Sequence, residues 1–116
     1  MDYKELDVWI QARKLVKGIY VITKSFPEDE KFSLISQVQR CAVSVPSNIA
    51  EASGRQTAKE AIHFLHIARG SLYELETQLI LANDLEYIST DIDIILTEVE
   101  RVKKLLNGFI NYHRKV

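Results

Sequence analysis

The chain has 116 residues, 47% of them hydrophobic and 27% charged, with a net charge of −1. That length suits one domain with its own core, and the balance of apolar and charged residues excludes wholesale disorder. Four glycines, two prolines and one cysteine leave too little turn chemistry for a many-stranded sandwich or barrel, and no disulfide framework or cysteine-based zinc site.

The start, Met1-Asp2-Tyr3-Lys4-Glu5, is polar rather than basic and then apolar, so a cytoplasmic location is expected. No apolar run nears the roughly 18 residues of a membrane span, so no membrane partner is expected. The first predicted helix runs from about Lys4 to Ser25 and carries two stripes. Val8, Ala12, Leu15, Ile19, Ile22 and Phe26 recur in steps of three or four, and Leu6, Ile10, Arg13, Val16, Tyr20 and Thr23 form a second, mixed set. A helix with one buried face needs only one stripe. This helix is therefore expected to be covered on two sides, inside the fold and against another chain.

Phe26-Pro27-Glu28-Asp29-Glu30 ends it, because proline disfavours helix at the residue before it and the acids suit a following helix start. The second helix is predicted over Lys31–Ser53, with Ile35, Val38, Ala42, Val45, Ile49 and Ala52 on a heptad seam. Pro46 removes one hydrogen bond and predicts a kink near Ala42 and Val43. Gly54 is the expected C-terminal cap. Thr57 with Glu60 reads as a capping box that opens a third helix, continuing to about Asn83. Ala61, Leu65, Ala68, Leu72, Leu75, Leu79 and Ala82 keep the heptad there. Ile62, Phe64, Ile67, Tyr73 and Ile80 fall off it, which predicts the most enclosed of the helices, and Gly70 and Ser71 would admit another backbone. Ser89 or Thr90 is the expected cap of the fourth helix, whose seam is Ile92, Ile95, Val99, Val102, Leu106 and Phe109. Short loops force neighbours to run antiparallel. The predicted fold is all-α, an antiparallel up-down-up-down four-helix bundle over residues 1–116 as a single domain.

The second helix also carries a polar stripe: Gln37, Arg40, Ser44, Asn48, Glu51 and Arg55, three or four apart. The plain reading is a solvated face. Gln, Asn and Ser in place of Lys and Glu, next to a proline that frees a carbonyl, point instead to a polar network or a subunit interface.

These residues also carry a resemblance. Phe26-Pro27, Leu34, Gln37, Arg40, Ala42, Ser44, Pro46 and the run Ser47-Asn48-Ile49-Ala50-Glu51 resemble the four-helix-bundle proteins encoded by intervening sequences of bacterial 23S ribosomal RNA genes. Phe64-Leu65-His66-Ile67-Ala68-Arg69-Gly70-Ser71 with Glu74-Leu75, and Trp9, Ala12, Leu15 and Tyr20, extend it over nearly the whole chain. The resemblance implies a cytoplasmic, left-handed bundle that assembles as a homopentamer, with no established enzymatic activity. That family is similar to the accessory protein of diversity-generating retroelements, a pentameric barrel that contacts a reverse transcriptase and nucleic acid. Cys41 stands where the family usually has alanine and Ala52 where it usually has glycine. Both are small, so close helix packing is expected to survive. Unlike the retroelement relatives, this chain is not strongly basic.

Charge is nevertheless unevenly spread. Residues 70–100 hold eight acids and no Lys or Arg. Arg13, Lys14, Lys17 and Lys24 in the first helix and Arg101, Lys103, Lys104, Arg114 and Lys115 in the fourth form a candidate RNA or DNA contact surface. A ring would multiply it by its copy number; ordinary solvation is the plainer reading. Glu60-Ala61-Ile62-His63 matches one Glu-x-x-His element, but a di-iron bundle needs two such elements, so no metal and no cofactor is expected. Cys41 reads as a small buried thiol of raised pKa. The chain is read as a non-enzymatic homo-oligomeric scaffold, with a nucleic-acid-binding ring as the alternative.

Overall fold

The computed structural model describes residues 2–115. Met1, part of the polar start, lies outside them. Four helices appear in chain order: α1 (Asp7–Ile22), α2 (Leu34–Ser53), α3 (Ala58–Asp84) and α4 (Ile92–Arg114). Short 3-10 turns at Tyr3–Glu5, Thr23–Ser25 and Glu28–Glu30 flank α1 and lead into α2. Among the described residues there is no strand. The helices touch in cyclic order, α1 on α2, α2 on α3, α3 on α4 and α4 back on α1, the arrangement of an antiparallel four-helix bundle. The 27 residues of α3 span about 40 Å at 1.5 Å per residue, which accounts for most of the 45 Å long axis.

The predicted seams form the core. Val8, Ala12, Leu15 and Ile19 of α1, the α2 seam from Val38 to Ala52, and all seven α3 heptad residues are buried. In α4 the seam keeps Ile95, Val99, Val102 and Leu106 but ends on Ile110, with Phe109 only half-buried. A straight helix drifts about 20° per heptad from a 3.5 repeat, so by the last turn the next residue has rotated inward.

One helix end departs from expectation. Asp91, rather than Ser89 or Thr90, caps α4, its carboxylate accepting from the Asp93 N–H at 2.9 Å. Gly54 is the C-cap of α2 as expected, but at φ −90°: the helix closes with bonds from Gly54 N to Glu51 O and Arg55 N to Ala52 O, so no left-handed residue is required. The left-handed position is Glu86, φ 63°, after α3. There Tyr87 N bonds Ala82 O and Glu86 N bonds Asn83 O, a Schellman closure. The Thr57 cap is present, with Oγ1 accepting from Glu60 N at 3.2 Å.

Helix α2 continues through Pro46 as a single element. Ser47 Oγ donates to Val43 O and Asn48 Nδ2 to Ser44 O, both at 2.8 Å, the carbonyls after the one proline frees. Helix α3 is not enclosed: Ile67, Tyr73 and Ile80 are exposed, because each helix of a four-membered cycle turns only its seam and two flanks inward. The second α1 stripe is partly absorbed within the chain, with Leu6 and Val16 packed on the core while Tyr20 stays open.

Candidate interaction surfaces

The polar stripe of α2 lies along its junction with α3. Ser71 Oγ donates to Ser44 Oγ at 2.9 Å, and Asn48 Nδ2 reaches the same oxygen at 2.9 Å. One turn along, Cys41 Sγ donates to the Glu74 carboxylate at 3.5 Å. Burial, and then the Glu74 carboxylate, push the Cys41 thiol up, against a Gln78 hydrogen bond that pulls it down. Gln78 Oε1 is buried with no partner among the described residues. At the other end Arg55 pairs with Glu51 at 3.1 Å and lies 4.4 Å over the Phe64 ring. Gln37 and Arg40 face outward.

The structure thus ties Ser44, Asn48, Glu51 and Arg55 into contacts on this seam and leaves Gln37 and Arg40 at its solvent edge. It also adds Glu74 and Gln78, which the sequence reading did not single out for this face. Ser71, Glu74 and Gln78 step by three and four along α3, the same periodic signal that marked the α2 stripe. Arg40, Ser44 and Asn48 also line a shallow groove of about 820 Å³ with Tyr20, Val43 and Phe32. The Phe32 side chain is 90% exposed. Beside Ser71, a Cβ built on Gly70 would meet nothing within 4 Å.

The nine candidate basic contacts do not form one patch. Lys14, Lys17 and Lys24 line a groove of about 640 Å³ between α1 and α4, floored by Gly18, Ile22 and Ile95 and holding Glu98. Arg101 flanks the same Ile94 and Glu98 on the α4 side, so it continues that face. Arg13 lies 5.5 Å over the Trp9 ring, towards α2. Arg114 is on the α3 side, close enough for its charge to act on His66. Lys104 and Lys115 are exposed.

Lys103 is a correction: it is 8% exposed and not available to phosphate. Its Nζ stands 2.9 Å from Glu76, 3.5 Å from Glu100 and 4.6 Å over the Tyr73 ring. Burial pulls this amine down, but Glu76 and then Glu100 outweigh it and hold it above the usual lysine value. His66 is pulled down, first by burial and then by the charges of Arg69, Arg114 and His63. Its Nδ1 lies 2.9 Å from the Arg69 guanidinium, so this ring nitrogen acts as acceptor.

Among the described residues, no three His, Cys, Asp or Glu side chains converge as a metal site would require, and no helix is long and apolar enough to cross a membrane. A family model described as "23S rRNA-intervening sequence protein" matches residues 4–108. No curated protein matches the sequence. Among solved structures, the chain is similar to a protein of unknown function from the S23 ribosomal protein family of Bacteroides thetaiotaomicron. The TM-score is 0.81 at 28% identity, over 89% of this chain and 97% of that one.

Proposed function

The chain belongs to the family of 23S rRNA-intervening sequence proteins, and from that premise we propose that it is a non-enzymatic scaffold, built from copies of itself joined through the outer face of α2 and α3. The observation that carries this reading is the apolar surface left open beside the Ser44–Ser71–Asn48 ladder on that face. Around the ladder, Phe32, Val43, Ile67 and Leu81 leave apolar surface open, more than polar solvation alone accounts for. A ring of five is what the family resemblance supplies; it closes only where this face meets a different face of the next protomer. Native mass spectrometry at micromolar concentration tests the reading. A clean multiple of the 13.3 kDa protomer is expected, and a 13.3 kDa species alone overturns it.

The alternative is an RNA- or DNA-binding ring. Lys14, Lys17, Lys24 and Arg101 on one face support it. Against it stand the internal Lys103 and the placement of Arg13 and Arg114 on other sides. Titration of structured RNA decides: affinity that falls steeply with salt favours this reading, and absence of binding at low salt removes it.

A further inference from the structure

We infer that the groove between α1 and α4 receives an acidic amphipathic helix from a different protein. The first ground is apolar exposure. Ile94 and Val21, 65% and 59% exposed, are the two most exposed aliphatic side chains among the described residues, and both line this one groove. Isolated surface aliphatics need no explanation, but two facing each other across a 640 Å³ groove floored by isoleucine and glycine form the seat that a helix's apolar stripe fills. Gly18 deepens it: a Cβ there would come within 3.3 Å of Glu98 Oε2 and 3.4 Å of Ile95 Cδ1.

Length and charge identify the occupant. The eleven residues from Lys14 to Lys24 cover about 15 Å, close to three turns of a docked helix with anchors at i, i+3 or i+4, and i+7. Lys14, Lys17 and Lys24 face a single acid, Glu98; on the α4 side Arg101 is offset by Asp93, so the positive side of the rim is the α1 lysines. Acidic flanks on the incoming helix complement this rim, which sets its orientation and speeds its encounter.

Two other occupants fit less well. Nucleic acid would have to desolvate Val21 and Ile94, which offer no flat face for base stacking, and bring phosphate up to Glu98. A second copy does carry acids, in residues 70–100, but its α3 is already packed against α2 and α4 and offers an outer flank rather than a whole helix to seat in the groove, so it is the outcome that a falling native mass reports. The inference goes beyond the scaffold reading and does not rest on it: wild-type protein found only as a monomer defeats the scaffold and leaves the groove to be tested.

The test uses the full chain and fluorescence anisotropy with three probes. These are a synthetic 18-residue helix with a leucine stripe flanked by glutamate, the same peptide with lysine flanks, and a single-stranded RNA. The glutamate peptide is expected to bind at least tenfold more tightly than the lysine peptide. Val21→Ser with Ile94→Ser weakens that binding at least tenfold while circular dichroism and native mass stay unchanged. Lys14→Glu with Lys17→Glu reverses the preference between the peptides. Three results overturn the inference: glutamate-peptide binding that ignores these substitutions or does not occur, RNA that binds and displaces the peptide, or a native mass that drops in the Val21/Ile94 variant because a second copy fills the groove.

Discussion

At the scale of single residues, Lys103 shows how burial changes a charge's role. It sits four residues after Val99 and three before Leu106, on the edge of the α4 seam, whereas Lys104 is rotated a further 100° outward. That spacing was legible in the sequence, but a pair of adjacent lysines reads as surface until Glu76 on α3 is known to wait across the interface. Replacing Lys103 with Met leaves the Glu76 and Glu100 carboxylates without their cation. The expected loss is about 1–2 kcal/mol in denaturant unfolding, below that of a fully buried pair because the Glu76 side chain keeps 31% of its surface in water. An unchanged midpoint shows the pair to be idle.

Tyr87 and Glu30 form a latch between the two loops at the other end of the bundle. Tyr87 Oη donates to Glu30 at 2.9 Å, Ser33 Oγ also donates to Glu30, and Ser25 Oγ donates to Tyr87 O at 2.7 Å. Ser33 first, and then Tyr87, hold the Glu30 carboxyl below its usual value, while Glu30 pushes the Tyr87 phenol up. The carboxylate contribution is therefore present above the ordinary glutamate range and lost as pH falls through the lowered folded value; the phenol contribution is present at neutral pH and lost only as pH rises past the raised one. Tyr87→Phe is expected to lower the melting temperature at pH 7, and the gap to wild type narrows as pH falls below the ordinary glutamate range. A gap that stays the same through the acid limb rules the latch out.

At the scale of elements, the heptads carried most of the information, because a 3.5-residue repeat can bury a continuous stripe only as a packed helix. Helix ends were less legible, since local side-chain bonds decide them and several residues compete. Ser89, Thr90 and Asp91 all suit a cap, and only the backbone direction entering α4 selects Asp91. Glu86 occupies a left-handed position that favours glycine. Glu86→Gly is expected to stabilise the fold by about 0.5–1 kcal/mol. Gly70, in mid-helix with nothing near its Cβ position, should respond similarly to alanine, gaining about 0.5–1 kcal/mol. Thermal melts that move the other way show a constraint outside the protomer.

At the scale of the whole molecule, the same glycine links stability to assembly. Gly70 gains nothing from its own chain, so its use in α3 is explained if a second backbone passes close to the α2–α3 face. Gly70→Trp is expected to leave helix content intact and shift native mass towards the single protomer; a mass equal to wild type moves the contact elsewhere. The ladder at that face was half visible beforehand. Ser44 and Asn48 stood out by residue type, whereas Glu74 and Gln78 lie on another helix, and the pairing of the two stripes depends on how α2 and α3 are offset.

By itself the sequence determined the helical class, the four elements, the inward face of each and the family resemblance, because periodicity and residue type are properties of one segment at a time. Only the tertiary structure decided that Lys103 turns inward, that nine bases divide among several sides, and that Val21 and Ile94 meet across a groove. Those facts depend on the rotation and offset of one helix against another, set by the sum of many small packing contacts that no single stretch of chain encodes.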